Sequence, residues 1–245
     1  MWVIIIILLA EYLQLKIKRY QNFRMTSSIS LVNLRRLAVT EGMMILYRTN
    51  PEGRREEIID PQQGELSDSM ILSGSFNPLH EGHIRLAQQA CIQAGRKQIV
   101  YELAIVNADK GPIDEQVIVR RAEQFEKAGL NLLLTSQPFF YRKALMLPSQ
   151  HFVLGYDTFV RLLDLKYYEN LQEKLLQILK SLEEVGTRFA IGGRLNAKTS
   201  LFEVLDSEAL EIVPLAFKDM FYAVSDFRVD LSSTELRARG ITTTF

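Results

Sequence analysis

The chain has 245 residues, 47% hydrophobic and 24% charged, which is typical of a globular protein that is long enough to bury a full core. Its 29 basic and 29 acidic residues cancel, so no chain-wide positive field attracts nucleic acid, and we expect no nucleic-acid partner. The single cysteine, Cys91, can form no disulfide within the chain, which suits a reducing compartment, and we expect the cytoplasm.

The first ten residues, MWVIIIILLA, are all apolar. A membrane-spanning helix needs about 20 apolar residues, so this run is too short to cross a bilayer. The basic residues Lys16, Lys18 and Arg19 follow it, whereas in a secretory signal they precede the apolar run. Three interpretations stay open: an upstream extension with initiation at Met25, a helix packed on the domain, and a membrane-surface anchor. We rank the anchor last and expect no membrane association.

The next segment combines a helical pattern over residues 29–38, an apolar stretch over 43–47 and a charged stretch over 48–68. The charged stretch carries two prolines and two glycines and has little periodicity, which is typical of a surface linker. We therefore divide the chain into an N-terminal extension and linker of unknown role, residues 1–68, and a main domain, residues 69–245.

Strand-like and helix-like segments alternate through the main domain. Strands are predicted at residues 70–72, 97–107, 130–135, 151–155, 188–191, 211–213 and 227–230. Helices are predicted to begin near residue 82 and to cover 114–127 and 168–185. This alternation predicts an α/β fold, a parallel sheet with helices on both faces.

The loop after the first predicted strand of the domain reads GSFNPLHEGH, residues 74–83. Gly74 and Gly82 allow backbone to approach a ligand closely, and a helix start near Gly82 offers free N–H groups that favour a phosphate. His80 and His83 are three residues apart, so both rings lie on one face of the first helical turn. Two of the three histidines of the chain fall in this loop, which favours a functional role over simple packing.

GSFNPLHEGH resembles the HxGH signature of the nucleotidyltransferase superfamily, in the form found in nicotinamide and nicotinate mononucleotide adenylyltransferases. SSTELR, residues 232–237, is similar to the ISSTxIR signature of the same enzymes, with Leu231 in place of the first isoleucine. The second segment also fits a helix capping box formed by Ser232 and Glu235, and both interpretations can hold together. The resemblance implies a Rossmann-like nucleotidyltransferase domain.

The activity that this resemblance implies is transfer of AMP from ATP to nicotinamide or nicotinate mononucleotide, with release of pyrophosphate, in NAD biosynthesis. The implied partners are ATP and a pyridine mononucleotide, and Mg²⁺ is expected to enter with ATP. We expect no metal ligands in the protein, because HxxH lacks the spacing of a zinc-binding helix. Two alternatives stay open: another cytidylyl- or adenylyltransferase of the superfamily, and a catalytically weak nucleotide-binding regulatory protein.

The resemblance also implies a role for each site residue. Catalytic contacts with the phosphates are assigned to His80, His83 and Arg237. Binding of ATP and its phosphates is assigned to Gly74, Ser75, Phe76, Gly82, Arg194, Ser232, Ser233 and Thr234. Binding of the second substrate is assigned to Asn77, Lys110 and Asp157.

Two of these assignments have a structural alternative. Asp157 lies in GYDT, which resembles the GxD element of the adenylyltransferases, but it also fits a helix N-cap. Lys110 follows Asp109 in NADKGPI, and the two residues also fit a solvated turn.

Aromatic residues are the candidates to stack on the pyridine ring. Relatives often carry a tryptophan after the GxD element, whereas the only tryptophan of this chain is Trp2. Tyr167 and Tyr168 are the candidates in its place. The segment FFYRK, residues 139–143, also offers aromatic faces and cations, but we expect surface packing there.

Overall fold

The computed structural model describes residues 29–50, 52–109, 111–196, 199, 201–229 and 233–241. In these ranges a central sheet of eight strands carries helices on both faces, so the predicted α/β class is confirmed. Within the described part of the chain, no helix combines the length and the apolar character that a membrane span requires.

The helices are α1 (Leu31–Val39), α2 (Gln63–Leu66), α3 (Glu81–Gln93), α4 (Glu115–Lys127), α5 (Phe140–Met146), α6 (Tyr156–Leu162), α7 (Gln172–Glu184) and α8 (Ser233–Ala238). The strands are β1 (Met44–Thr49), β2 (Arg55–Ile59), β3 (Ser69–Ser73), β4 (Gln98–Ala104), β5 (Val106–Asn107), β6 (Gly111–Pro112), β7 (Leu132–Thr135), β8 (His151–Gly155), β9 (Arg188–Gly192), β10 (Arg194–Leu195), β11 (Phe202–Glu203) and β12 (Phe221–Ala223). Short 3-10 helices cover Leu165–Tyr168, Ala209–Ile212 and Leu215–Met220.

The strand order of the main sheet is β12-β9-β8-β3-β4-β7-β1-β2. Strands β12 to β7 are parallel, whereas β1 runs antiparallel to both β7 and β2. The chain first winds from β3 outward through β4 and β7, and it then returns to the other side of β3 with β8. The carboxyl ends of β3 and β8 therefore form a topological switch point, which is where open α/β sheets bind ligands.

The core lies on both faces of the sheet, because alternate residues of each strand point to opposite sides. Met70 and Leu72 of β3 pack in one cluster with α1, α3 and α4. Ile71 between them packs in a second cluster with α5, α6 and α7. Burial of both faces explains why the central parallel strands are continuous apolar runs.

The prediction of a surface linker over residues 48–68 is wrong where β2 forms. Strand β2 pairs with β1, and β1 pairs with β7, with Ile45 opposite Leu134. Strands β1 and β2 thus extend the same sheet as the domain that was predicted to begin at residue 69. Strand β2 is an edge strand, and the charges of its sequence REEII concealed it, although charges are common on exposed edges. Residues 1–28 lie outside the described ranges, so their role stays a prediction.

Two short strands near the end of the chain were also predicted wrongly. Residues 211 and 212 end a 3-10 helix, Val213 is its C-cap residue, and residues 227–229 form a loop. The strand that pairs with β9 is instead β12, which follows directly after another 3-10 helix. The β-branched pair Ile212 and Val213 favours a strand locally, but the sheet edge is occupied by Phe221–Ala223.

Candidate active site

The loop after β3 is held by its own buried phenylalanine. Phe76 is fully buried, and its ring packs edge-on against Tyr101 and Phe125, with centroids 5.8 and 5.0 Å away. The N–H of Gly74 donates to the Glu102 carbonyl at 3.0 Å. A Cβ at Gly74 would lie 2.9 Å from the Phe76 ring, so another residue there would displace it. The Phe76 side chain, predicted to bind ATP, therefore packs in the core and leaves only its backbone for a ligand.

Gln124 of α4 fixes the middle of the same loop. Its Oε1 accepts the Leu79 N–H at 2.9 Å, and its Nε2 donates to the Phe76 carbonyl at 3.3 Å. The side chain is buried, so these bonds are protected from water. The sequence analysis did not select this residue. Gln124 could have been selected because it is an amide side chain on the face of an amphipathic helix that is otherwise apolar and buried.

Replacement of Gln124 by leucine is expected to lower the free energy of unfolding by about 1–3 kcal/mol, because the buried Phe76 carbonyl loses its donor. Urea unfolding would measure the change. Gln116→Leu is the matched control, since Gln116 is exposed on the same helix and its replacement is expected to stay within about 0.5 kcal/mol. Equal effects of the two variants would contradict the role of Gln124.

The two histidines lie at the start of α3, one ring against the other. His80 is the N-cap residue and is buried, and the ring centroids of His80 and His83 are 3.8 Å apart. The His80 backbone N–H donates to Nδ1 of His83 at 3.2 Å. An accepting nitrogen carries no proton, so the neutral His83 ring has its proton on Nε2.

Burial, and then the neighbouring His80, lower the pKa of His83 to about 3, and burial also lowers the pKa of His80. Both rings are therefore neutral at pH 7 in the free protein, and they act as hydrogen-bond donors rather than as fixed cations. Gly82 is required beside them, because a Cβ there would lie 2.9 Å from Nδ1 of His80.

The second signature lies on α8 and contacts the first one directly. Ser233 Oγ donates to the Pro78 carbonyl at 3.0 Å, across 155 residues of sequence. Nη1 of Arg237 donates to the Asn77 carbonyl, and its Nη2 donates to Thr234 Oγ1 at 3.1 Å. The structure thus brings together the predicted residues of both motifs. Ser232 lies outside the described residues, so its predicted role and the capping box stay predictions.

Asp157 and Arg194 form an ion pair at the carboxyl ends of β8 and β9. Asp157 lies in the first turn of α6, whose N-cap residue is Gly155, so the N-cap interpretation of Asp157 is wrong. Arg194 belongs to the ribbon of β10 and β11. A Cβ at Gly193 would lie 2.5 Å from the Phe202 ring, so this glycine allows the ribbon to close next to Arg194.

A cavity of about 200 Å³ opens beside the loop after β3. Gly74 and Ser75 line it, together with Asn107 after β4 and Arg121 of α4. Its aromatic lining consists of Phe139, Phe140, Tyr141, Tyr167 and Tyr168. The prediction of surface packing for residues 139–143 is therefore wrong, because α5 forms part of the cavity lining.

The two predicted tyrosines differ in their surroundings. Tyr168 is buried and its hydroxyl donates to the Leu162 carbonyl, so its ring is fixed in place. The hydroxyl of Tyr167 donates to Asp109 at 3.1 Å, and Asp109 also pairs with Arg161 at 2.6 Å. Asp109 therefore joins the loop after β4 to α6 rather than forming only a solvated turn. Lys110, its neighbour, lies outside the described residues.

Two cations of the cavity region, Lys143 and Arg121, were not selected as site residues from the sequence. Lys143, which lines the cavity, is paired with the fully buried Glu102 at 2.9 Å, and Thr135 Oγ1 donates to the same carboxylate. Arg121 lies on α4 four residues before Phe125, on the face that the helix buries. A cation at a buried helical position was the available signal for Arg121. In the described ranges, no three His, Cys, Asp or Glu side chains are grouped closely enough to hold a metal ion.

Comparison with known proteins agrees with this geometry. The family model described as Cytidylyltransferase-like matches residues 71–239, a range that includes both signature segments. A Schizosaccharomyces pombe protein, named "Putative nicotinamide mononucleotide adenylyltransferase", is 28% identical over 147 residues. That match covers 53% of this chain and 57% of the relative, so the chain spans less than two thirds of the relative's length.

Two structures of Plasmodium falciparum nicotinic acid mononucleotide adenylyltransferase were also matched, one complexed with NaAD and one with APC. They are 16% and 15% identical to this chain, with TM-scores of 0.44 and 0.42. Each match covers 69% of this chain and 82% of the other. Because the family model extends over most of the chain and over both motifs, the predicted nucleotidyltransferase resemblance is confirmed, and the chain belongs to the Cytidylyltransferase-like family.

Proposed function

We propose that the chain is an adenylyltransferase that transfers AMP from ATP to nicotinamide or nicotinate mononucleotide and releases pyrophosphate. The observation that carries the proposal is the meeting of His80, His83, Ser233 and Arg237 around one loop at the switch point of the sheet. Family membership supports the chemistry, and the name of the Schizosaccharomyces pombe relative supports the choice of acceptor.

In the proposed reaction, a phosphate oxygen of the acceptor attacks the α-phosphorus of ATP, and the bond to pyrophosphate breaks. No covalent enzyme intermediate is needed, so the protein has to align the two groups and stabilise the negative charge of the transition state. His83 supplies its Nε2–H as a neutral donor. The N-terminus of the 13-residue helix α3 adds free backbone N–H groups and the positive end of the helix dipole.

The departing pyrophosphate is assigned to Arg237, Ser233 and Thr234. The bonds of Arg237 to the Asn77 carbonyl and Thr234 fix its guanidinium. A guanidinium has five N–H donors, so others remain for a phosphate. Mg²⁺ is expected to enter with ATP, because this ion takes few protein ligands, and it would offset part of the phosphate charge.

The cavity is assigned to the acceptor. Its aromatic lining offers flat apolar faces to the pyridine ring, and its polar groups lie at the end of β3, close to the phosphate-binding loop. We assign Asn107 and Tyr167, which line this cavity, to the acceptor as well. Asp157 is assigned to the acceptor and Arg194 to ATP, and their ion pair lies on the same edge of the sheet as the phosphate-binding loop.

The test is product formation by the purified protein with ATP and Mg²⁺, with nicotinamide and nicotinate mononucleotide offered separately. Chromatography should detect one dinucleotide for each pyrophosphate released, and the better acceptor names the pyridine substrate. Binding of ATP without product from either acceptor would contradict the proposal. It would favour another acceptor or a catalytically weak nucleotide-binding protein.

A further inference from the structure

Arg121 is a cavity residue to which the reaction described above assigns no role. It lines the cavity from α4, together with Gly74 and Ser75. The Nε atom of Arg121 is buried, and this atom has no hydrogen-bond partner among the described residues. A buried donor of a charged group without an acceptor is unfavourable in a folded protein unless a ligand supplies the acceptor.

The charges around Arg121 are also unbalanced. In the described part of the chain, the other cations that line the cavity are paired, Lys143 with Glu102 and Arg161 with Asp109. Burial, and then the neighbouring cations Arg237 and Arg120, lower the pKa of Arg121. An anionic ligand group bound to the Arg121 guanidinium would offset this unfavourable positive charge.

We propose that Arg121 binds the phosphate of the mononucleotide acceptor, the group that attacks ATP. This inference rests on the proposed function. Arg121 lines the cavity that holds the aromatic side chains, whereas Arg237 contacts the loop at Asn77 and is not part of the cavity lining. A phosphate on Arg121 therefore belongs to the ligand whose ring occupies the cavity, and ATP is left to Arg237.

The assignment gives Arg121 a specific task. The acceptor phosphate and the α-phosphate of ATP are both anions, so their approach is opposed by electrostatic repulsion. A guanidinium on the attacking phosphate reduces this repulsion and orients the oxygen through two parallel hydrogen bonds. Arg121 is thus a binding and positioning residue, while His83 remains the donor to the reacting phosphates.

Binding of two ligands that differ only in the phosphate tests the inference. Calorimetry would measure the affinity of wild type, Arg121→Met and Arg121→Lys for nicotinamide mononucleotide and for nicotinamide riboside. Arg121→Met is expected to lower the affinity for the mononucleotide by roughly 10- to 100-fold, the effect of a lost hydrogen bond to a charged group. The affinity for the riboside should stay unchanged. Arg121→Lys should recover part of the loss, since it keeps the charge but not the planar fork.

Arg120→Met is the matched control, because Arg120 is the neighbouring arginine on α4 and is exposed. Because solvent screens its charge, its replacement should change the affinity for either ligand far less than Arg121→Met changes the affinity for the mononucleotide. The unliganded Arg121→Met variant should unfold at the same temperature as wild type or higher, since the replacement removes a charged group whose buried Nε has no hydrogen-bond partner among the described residues. A structural arginine would give the opposite result.

The assignment would be overturned if Arg121→Met bound the mononucleotide and the riboside more weakly by the same factor. It would also be overturned if only the binding of ATP became weaker. Failure of wild type to bind the mononucleotide better than the riboside would overturn it too. The outcome is separable from the proposed reaction: loss of phosphate selectivity in Arg121→Met supports the assignment even without turnover. Dinucleotide formation with unchanged selectivity would overturn the assignment and leave the proposed function standing.

Discussion

Replacement of His83 by alanine is expected to lower kcat by about 10²-fold or more, the usual loss when one positioned donor to a transition state is removed. The reason lies in the hydrogen bond from the His80 N–H to Nδ1, which directs the single proton of the neutral ring to Nε2. Alanine removes that donor and leaves the rest of the loop. Initial rates at saturating ATP and acceptor would measure the change, and circular dichroism would check the fold.

His151→Gln is the control for this variant. His151 begins β8 at the opposite edge of the sheet from the site, and its Nδ1 lies 3.2 Å from the Tyr222 hydroxyl. Burial, and then the nearby Arg96 and Arg188, lower the pKa of His151 to about 4, so this ring is also neutral at pH 7. Turnover of the control should stay near that of wild type. Turnover of folded His83→Ala within tenfold of wild type would contradict the role of His83.

Replacement of Lys143 by methionine is expected to lower the free energy of unfolding by about 3–5 kcal/mol, the cost of leaving a buried charge without its partner. The Glu102 side chain is fully buried and that of Lys143 is 9% exposed, with 2.9 Å between Nζ and Oε2. Methionine keeps the length of the lysine stem but removes the ammonium group. Urea unfolding monitored at neutral pH would measure the difference.

Two further variants separate the buried charge from the loss of packing. The double variant Glu102→Leu/Lys143→Met removes both charges and should recover most of the lost stability. Lys97→Ala breaks an ion pair with Asp68 at the same distance, 2.9 Å, but Lys97 is 82% exposed, so its effect should be far smaller. If Lys143→Met is no more destabilising than Lys97→Ala, Glu102 is not an isolated buried charge in that variant.

Local sequence patterns were sufficient to predict the central strands and helices and the loop that begins the site. Strand β3 was predicted at residues 70–72 and extends over Ser69–Ser73, and α4 has the predicted end at Lys127 with Asp114 as its N-cap residue. These elements have strong local patterns, a short apolar run and a helical period, which need no knowledge of distant residues. The loop GSFNPLHEGH could also be recognised from the sequence, because its glycines and histidines lie close together along the chain.

The edge strands and the contact partners of the site residues became apparent only from the folded chain. Strand β2 has a charged sequence, and its pairing depends on β1, which follows β7 in the sheet but precedes it in the chain. The contacts of Lys143 with Glu102, and of Arg237 with the Asn77 carbonyl, join residues 41 and 160 positions apart. Such pairs follow from the strand order and from which helix face is buried. A local pattern carries no information about either, because periodicity reports burial but not the neighbour that provides it.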